Sequence, residues 1–149
     1  MSDFFMSKER PPNYKPKFIV SGCFVEVQRE FLFLKRHPEK LFGGLWCLPG
    51  GKQDPGDTGL SCVIRETKEE TGIILQPYQV AYVATWHMIS RGLPYDWELY
   101  QAKLPERPLV RLKLDEHTDH EWVTPERALQ MSYIPGEDVC IEKVYGHTF

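Results

Sequence analysis

A chain of 149 residues, 42% hydrophobic and 26% charged, has the length and balance of one compact domain with its own core. Its net charge of −3 argues against a nucleic-acid polymer as partner, because such binders more often carry a basic stripe. No stretch approaches the roughly 20 apolar residues of a membrane span, and MSDFFMSKER has no apolar run of signal-peptide length, so a cytoplasmic monomer or homodimer is expected.

Residues 1–16, with Pro11, Pro12 and Pro16, read as an extended arm, its Phe4 and Phe5 tucked against a single domain over 17–149. Residues 18–27 are rich in Val, Ile and Phe and predict a strand; Gln28, Arg29 and Glu30 turn it, and 31–34 return as a hairpin. Arg36 ends that hairpin. A loop through Gly43 and Gly44 leads to a short strand at 46–48, which feeds the pair Gly50-Gly51. A helix is predicted over 58–71, followed by a β-rich run at 79–88, a turn at 90–94 and a returning strand at 97–104. Residues 109–114 alternate apolar and basic, as a strand edge or an extended loop. Residues 121–123 form a short strand, Thr124-Pro125 opens a helix to about 131, and 138–145 form the last helix. The four cysteines are scattered and read as small buried apolar residues.

The helix over 58–71 carries the informative chemistry. Asp57 or Thr58 can cap its start, and Gly72 sits where a left-handed residue would close it. Leu60, Val63, Ile64, Thr67 and Thr71 share the stripe expected to be buried. Glu66, Glu69 and Glu70 fall together on another face, since spacings of three and four bring side chains side by side. Arg65 and Lys68 are not spaced to neutralise all three. A solvated acidic face is the plain alternative; a divalent cation explains the arrangement better, and hard oxygen ligands suit Mg²⁺ or Mn²⁺.

Gly51, five residues, Asp57, seven residues, and then Arg65-Glu66-Thr67-Lys68-Glu69-Glu70-Thr71-Gly72-Ile73 resemble the Nudix box. One position departs: Asp57 stands where the family usually has Glu, keeping the charge with one methylene less reach. The resemblance spans about 18–144 and implies the Nudix α/β/α sandwich with a mixed sheet. It further implies Mg²⁺-dependent hydrolysis of a nucleoside diphosphate-linked substrate, most simply a nucleoside triphosphate giving the monophosphate and pyrophosphate. Nucleotide-sugar or dinucleoside polyphosphate hydrolysis, and a catalytically silent nucleotide-sensing domain, are the rival expectations. Tail or downstream motifs of the NADH, ADP-ribose and dinucleoside polyphosphate branches are not at their usual spacings.

By the same resemblance, the metal ligands are the Gly50 carbonyl, Glu66, Glu69 and Glu70, while Arg65 orients a catalytic glutamate by a charge-assisted hydrogen bond. Glu66 is the preferred general base. Glu116, six residues before Trp122, is the loop alternative. Arg36, thirteen residues before Pro49, is expected to contact phosphate or ribose. His117 is a possible substrate contact, and His117, Asp119 and His120 form only a weak zinc pattern. Trp86 is the expected stacking platform for a base, with Trp97, Tyr82 and Tyr133 as other candidates.

Overall fold

Two central strands run parallel and place one helix on each side of the sheet. They are β2 (Ile19–Val27) and β7 (Leu93–Lys103), in register from Ile19↔Asp96 to Glu26↔Lys103, in a computed structural model that describes residues 4–146. A parallel pair needs a long crossover. Here β3 (Glu30–Arg36), β4 (Trp46–Cys47), β5 (Gly50–Lys52), α1 (Gly59–Thr71) and β6 (Val80–Ser90) lie between the two. The sheet runs β1 (Phe5–Ser7), β6, β7, β2, β3, β4, with β5 added on β2 and β8 (His117–Val123) on β3. Its other pairings are antiparallel, so the sheet is mixed.

From Ser21 onward every residue of β2 is buried, which marks a strand covered on both faces. On one face Cys23, Val25, Leu32 and Leu34 pack against Val63 of α1. On the other, Phe24, Phe31, Phe33 and Trp97 pack against Cys140, Ile141 and Tyr145 of α3 (Glu137–Tyr145). Helix, sheet and helix form the expected α/β/α sandwich. All four cysteines are buried and free, as read from their scatter. None of the described helices is long and apolar enough to cross a membrane.

Several elements differ from the sequence reading. The arm is partly sheet: β1 pairs with β6 at Phe5↔Ile89, and the Tyr14 hydroxyl lies 2.6 Å from the Tyr95 carbonyl and 2.9 Å from Asp96 Oδ1. Phe4 packs against the core, while Phe5 stays largely exposed. Gly50 and Gly51 themselves form a strand with Lys52, because backbone pairing with β2 at Gly22↔Gly50 satisfies them. Residues 109–113 form no strand, which agrees with the loop alternative of the sequence reading, and Leu114 lies in a turn. β8 begins at His117, four residues before the predicted strand, because β3 pairs along its whole length. The helix predicted to reach 131 ends at Ala128 as α2 (Pro125–Ala128).

Candidate functional site

The start of α1 is fixed by its own sequence. Thr58 Oγ1 accepts the Ser61 N–H at 3.0 Å, and Ser61 Oγ accepts the Thr58 N–H at 2.9 Å. Gly72, at φ +75°, closes the far end with its N–H on the Lys68 carbonyl. Val63, Thr67 and Thr71 are buried as predicted, whereas Leu60 and Ile64 are only partly so. Cys62 and Glu70 are buried in addition.

That rotation of the helix separates the three glutamates. Glu70 is 5% exposed, and its Oε1 accepts the Gly50 N–H at 2.9 Å. Burial pushes its carboxyl well above the usual range. The Gly50 hydrogen bond opposes this, and the charges of Glu66 and Glu116 add to it. Glu66 lies one turn earlier against Gly51; a Cβ there would stand 2.6–2.8 Å from its carboxyl atoms, so any larger residue would push the Glu66 carboxyl from its place. Burial raises the Glu66 pKa too, against the Arg65 hydrogen bond. Glu69 is exposed at the rim, 3.7 Å from Arg65.

Arg65 is a clamp. One guanidinium nitrogen donates to Glu66 Oε1 at 2.8 Å, the other to Asp57 Oδ2 at 2.7 Å. Asp57 also accepts the Asp54 N–H at 2.8 Å and the Ser61 hydroxyl at 2.9 Å, and these bonds with Arg65 hold its pKa down. The shorter acid at this position therefore ties the loop before α1 to the arginine.

Glu116 reaches the same place from the turn before β8. Ligand atoms of Glu70, Glu116 and His117 lie within 4.8 Å of one another, the grouping of potential metal ligands found among the described residues. Lys113 Nζ donates to Glu116 Oε1 at 3.1 Å. His117 departs from expectation: it is a strand residue, 2% exposed, and has no open face for substrate. Its Nε2 is 3.7 Å from Cys47 Sγ, its Nδ1 has no hydrogen-bond partner, and burial lowers its pKa to about 4. Asp119 and His120 stand outside this group, so the zinc pattern read from the sequence is not assembled.

Two or three carboxylates forced together, one of them buried and one beside an orphaned ring nitrogen, fit a divalent cation bound mainly through oxygen. A histidine nitrogen in that set suits Mn²⁺ as well as Mg²⁺.

Beside Gly50 and Gly51 opens a cleft of about 530 Å³, lined by Phe18, Arg36, Lys52, Tyr95, Trp97 and Glu137 among others. Arg36 stands in its wall, its Nε donating to the Leu41 carbonyl at 2.7 Å. The rings of Phe18 and Tyr95 stack at 5.1 Å and 9°, with Lys52 Nζ 4.2 Å from the Phe18 centroid. Trp86 is instead 3% exposed in the core beneath Lys8, which removes the face assigned to it. Trp97 lines the cleft, its indole N–H on Cys140 Sγ at 3.1 Å. Sequence reasoning missed Phe18, Tyr95, Lys52 and Glu137. Ile19↔Asp96 pairing is what sets the first two side by side, and no local signal announces it.

Acids on one helix, aimed at a glycine strand beside a mostly apolar cleft, define an α/β sandwich protein with a cation-type site for a small ligand. A family model described as the NUDIX domain matches residues 16–143, and the chain belongs to that family. It is 28% identical over 123 residues to the CTP pyrophosphohydrolase of Escherichia coli, covering 83% of this chain and 87% of that one. With the 8-oxo-dGDP phosphatase NUDT18 of Mus musculus it shares 32% over 73 residues, 46% of this chain but only 22% of that protein. The crystal structure of a C. elegans Ap4A hydrolase binary complex superposes with a TM-score of 0.71 at 25% identity, over 88% of this chain and 97% of that one.

Proposed function

We propose that the chain is a divalent-cation-dependent pyrophosphohydrolase that converts a nucleoside triphosphate and water to the monophosphate and pyrophosphate. The observation that carries this reading is the placement of Glu66 and Glu70 against Gly50-Gly51 at the edge of a cleft of about 530 Å³, room for one nucleoside. The CTP pyrophosphohydrolase, matched over most of both chains, supports the substrate class.

Glu66, Glu70 and the Gly50 carbonyl would hold the cation, with Glu69 at the outer rim and Glu116 on the far side. When bound, such a cation offsets phosphate charge and makes water a better nucleophile. Glu66 takes the proton from the attacking water; its raised pKa moves it toward the working pH, and Arg65 fixes which oxygen is free. Glu116 is the alternative base, carried by a turn that can adjust to substrate. Arg36 meets phosphate or ribose at the cleft wall. Phe18 and Tyr95, stacked on each other in the cleft wall, leave only an outer ring face for the base.

A panel of nucleoside triphosphates, nucleotide sugars and dinucleoside polyphosphates, assayed with Mg²⁺ for pyrophosphate and phosphate release, tests the reading. Pyrophosphate from a triphosphate is the expected result. The Ap4A hydrolase likeness makes a dinucleoside polyphosphate the second reading, and its signature would be release of a nucleoside triphosphate. Binding without turnover of any member would leave a nucleotide sensor.

A further inference from the structure

The arm ahead of β2 carries no group of the chemistry above, yet it builds one side of the cleft. Met6 of β1 lines the cleft and pairs with Met88 of β6. Gly136, just before α3, faces the arm as well: a Cβ there would stand 3.2 Å from Met6 Sδ and 3.3 Å from Phe4 Cζ. The hairpin of β6 and β7 continues this wall through Met88, Ser90, Leu93 and Tyr95.

Tyr14 joins arm and hairpin. It is 6% exposed although it belongs to no strand or helix. Its hydroxyl donates to the Tyr95 carbonyl at 2.6 Å, accepts the Met88 N–H at 3.2 Å and stands 2.9 Å from Asp96 Oδ1. Met88 and Tyr95 face each other across β6 and β7, so one hydroxyl bridges both backbones at that pair. His87 Nδ1 lies 2.8 Å from the same Asp96 oxygen, and the His87 ring meets that of Tyr14 edge-on at 5.2 Å. On the arm side, Arg10 donates to the Tyr14 carbonyl through two nitrogens, at 3.1 and 3.3 Å. Burial, reinforced by Asp96, pushes the phenol up to about 12, so it keeps its proton throughout the neutral range.

The hairpin needs this hold. Two strands by themselves are marginally stable in water. Pairing of β7 with β2 starts at Ile19↔Asp96, so residues 93–95 lie outside it, and the Lys17 N–H on the Pro94 carbonyl at 2.8 Å continues the contact. Tyr95 is the first residue beyond that pairing, and it is also the ring stacked on Phe18 in the cleft wall.

We propose that Tyr14 is a positioning residue for the substrate: by clamping β6 to β7 at Met88 and Tyr95 it keeps the outer hairpin as a preformed cleft wall, and through it the arm sets the affinity for the nucleotide. The proposal rests on a nucleotide occupying this cleft. The backbone of Tyr95 takes the hydroxyl while its side chain forms the wall, so a shift of one is a shift of the other. A wall ordered before binding costs no affinity, whereas one that must be ordered by the ligand does. Glu66, Glu70 and Glu116 are carried by α1 and the turn before β8, not by this hairpin, so the loss falls on binding rather than on turnover.

The test compares wild type with Tyr14→Phe and Arg10→Ala. Phenylalanine keeps the ring and removes the hydroxyl. In ligand-free protein the Met88 amide is expected to exchange faster with solvent. For the nucleotide turned over best by wild type, KM is expected to rise about fivefold or more with kcat within about twofold, the range of one lost hydrogen bond. Tryptophan fluorescence, which Trp97 in the cleft makes sensitive to ligand, should show the same loss of affinity without turnover. Arg10→Ala leaves the hydroxyl and loosens its support, so it should move the same readouts by a smaller factor. A Tyr14→Phe protein with a lower melting temperature and unchanged KM has lost a stability bond only, and overturns the proposal. A fall in kcat at constant KM overturns it too. Should Tyr14→Phe fail to fold, Arg10→Ala decides alone: a raised KM at constant kcat supports the clamp, and an unaltered KM overturns it. Wild type that binds no nucleotide defeats the substrate reading and this proposal with it, a result seen without any variant. Equal affinity in wild type and Tyr14→Phe defeats the proposal alone.

Discussion

Glu70 Oε1 accepts the backbone N–H of Gly50 at 2.9 Å, so the last turn of α1 is tied directly to the strand that borders the cleft. This bond aims a buried carboxylate without neutralising it. Glu70→Gln keeps an acceptor for Gly50 and removes the charge. The apo protein is expected to keep or raise its melting temperature, since a buried charge is lost. Stabilisation by Mg²⁺ should vanish, and turnover should fall by about 100-fold or more, roughly 2.7 kcal/mol of barrier. Differential scanning with and without Mg²⁺, beside steady-state rates, checks both. Glu69→Gln, at the exposed rim, should cost less.

Gly51→Ala places a methyl within 2.6–2.8 Å of the Glu66 carboxyl. The end of a glutamate side chain can swing aside, so folding should survive with only a small shift in melting temperature. The carboxylate, however, leaves its position, and turnover should drop by one to two orders of magnitude. A variant with normal rates would show that Glu66 need not sit against this strand.

Arg65 spans Asp57 and Glu66 with two nitrogens of one planar group. Lysine carries the charge but a single donor centre, and cannot hold both. Arg65→Lys is expected to lower kcat by about tenfold or more with KM little changed. An unaltered kcat would reduce the clamp to a surface ion pair.

Glu66→Gln and Glu116→Gln, compared across pH at saturating Mg²⁺, separate the two candidate bases. Loss of Glu66 should exceed the ~10²–10⁴ assigned to a base alone, because it also removes a cation ligand. Loss of Glu116 should cost at most that factor and flatten one limb of the profile. If Glu116→Gln is the more damaging, the turn before β8 carries the base.

Two buried groups set opposite slopes of apo stability with pH. His117, lowered from 6.5 to about 4, contributes stability above its unfolded value that is lost as pH falls toward 4. Glu137, raised from 4.5 to about 8, contributes stability below its unfolded value that is lost as pH rises to 8. Between 4.5 and 6.5 the two slopes oppose each other; from 6.5 to 8 the glutamate acts without the histidine. In chelator, unfolding free energy should therefore decline by about 2 kcal/mol over that upper range. Glu137→Gln should remove its share of the decline, Glu70→Gln the share set by its own raised carboxyl, and His117→Asn should flatten the acid side. Denaturant titrations at fixed pH intervals measure it.

Short-range physics made α1 legible before any fold was known. Thr58 and Ser61 cap it three residues apart, Gly72 closes it, and the four-residue spacing of Glu66 and Glu70 puts both on neighbouring turns whatever surrounds them. The strand run of β2 was equally plain as an apolar stretch before a turn, and so was the later part of β7, although its first residues, Leu93 and Pro94, read as turn. Which glutamate is buried was not, because that depends on how α1 rolls against β5. Trp86 and Trp97 look alike in the chain and pair directly across β6 and β7 in one core cluster, yet only Trp97 also lines the cleft. His117 and Glu116 join Glu70 only because β8 lies along β3, and Glu137 reaches Leu48 only because α3 covers that face of the sheet. Capping and periodicity are fixed by near neighbours and so are written locally. Burial, register and the meeting of distant side chains are fixed by packing the whole chain at once, and only the tertiary structure decides them.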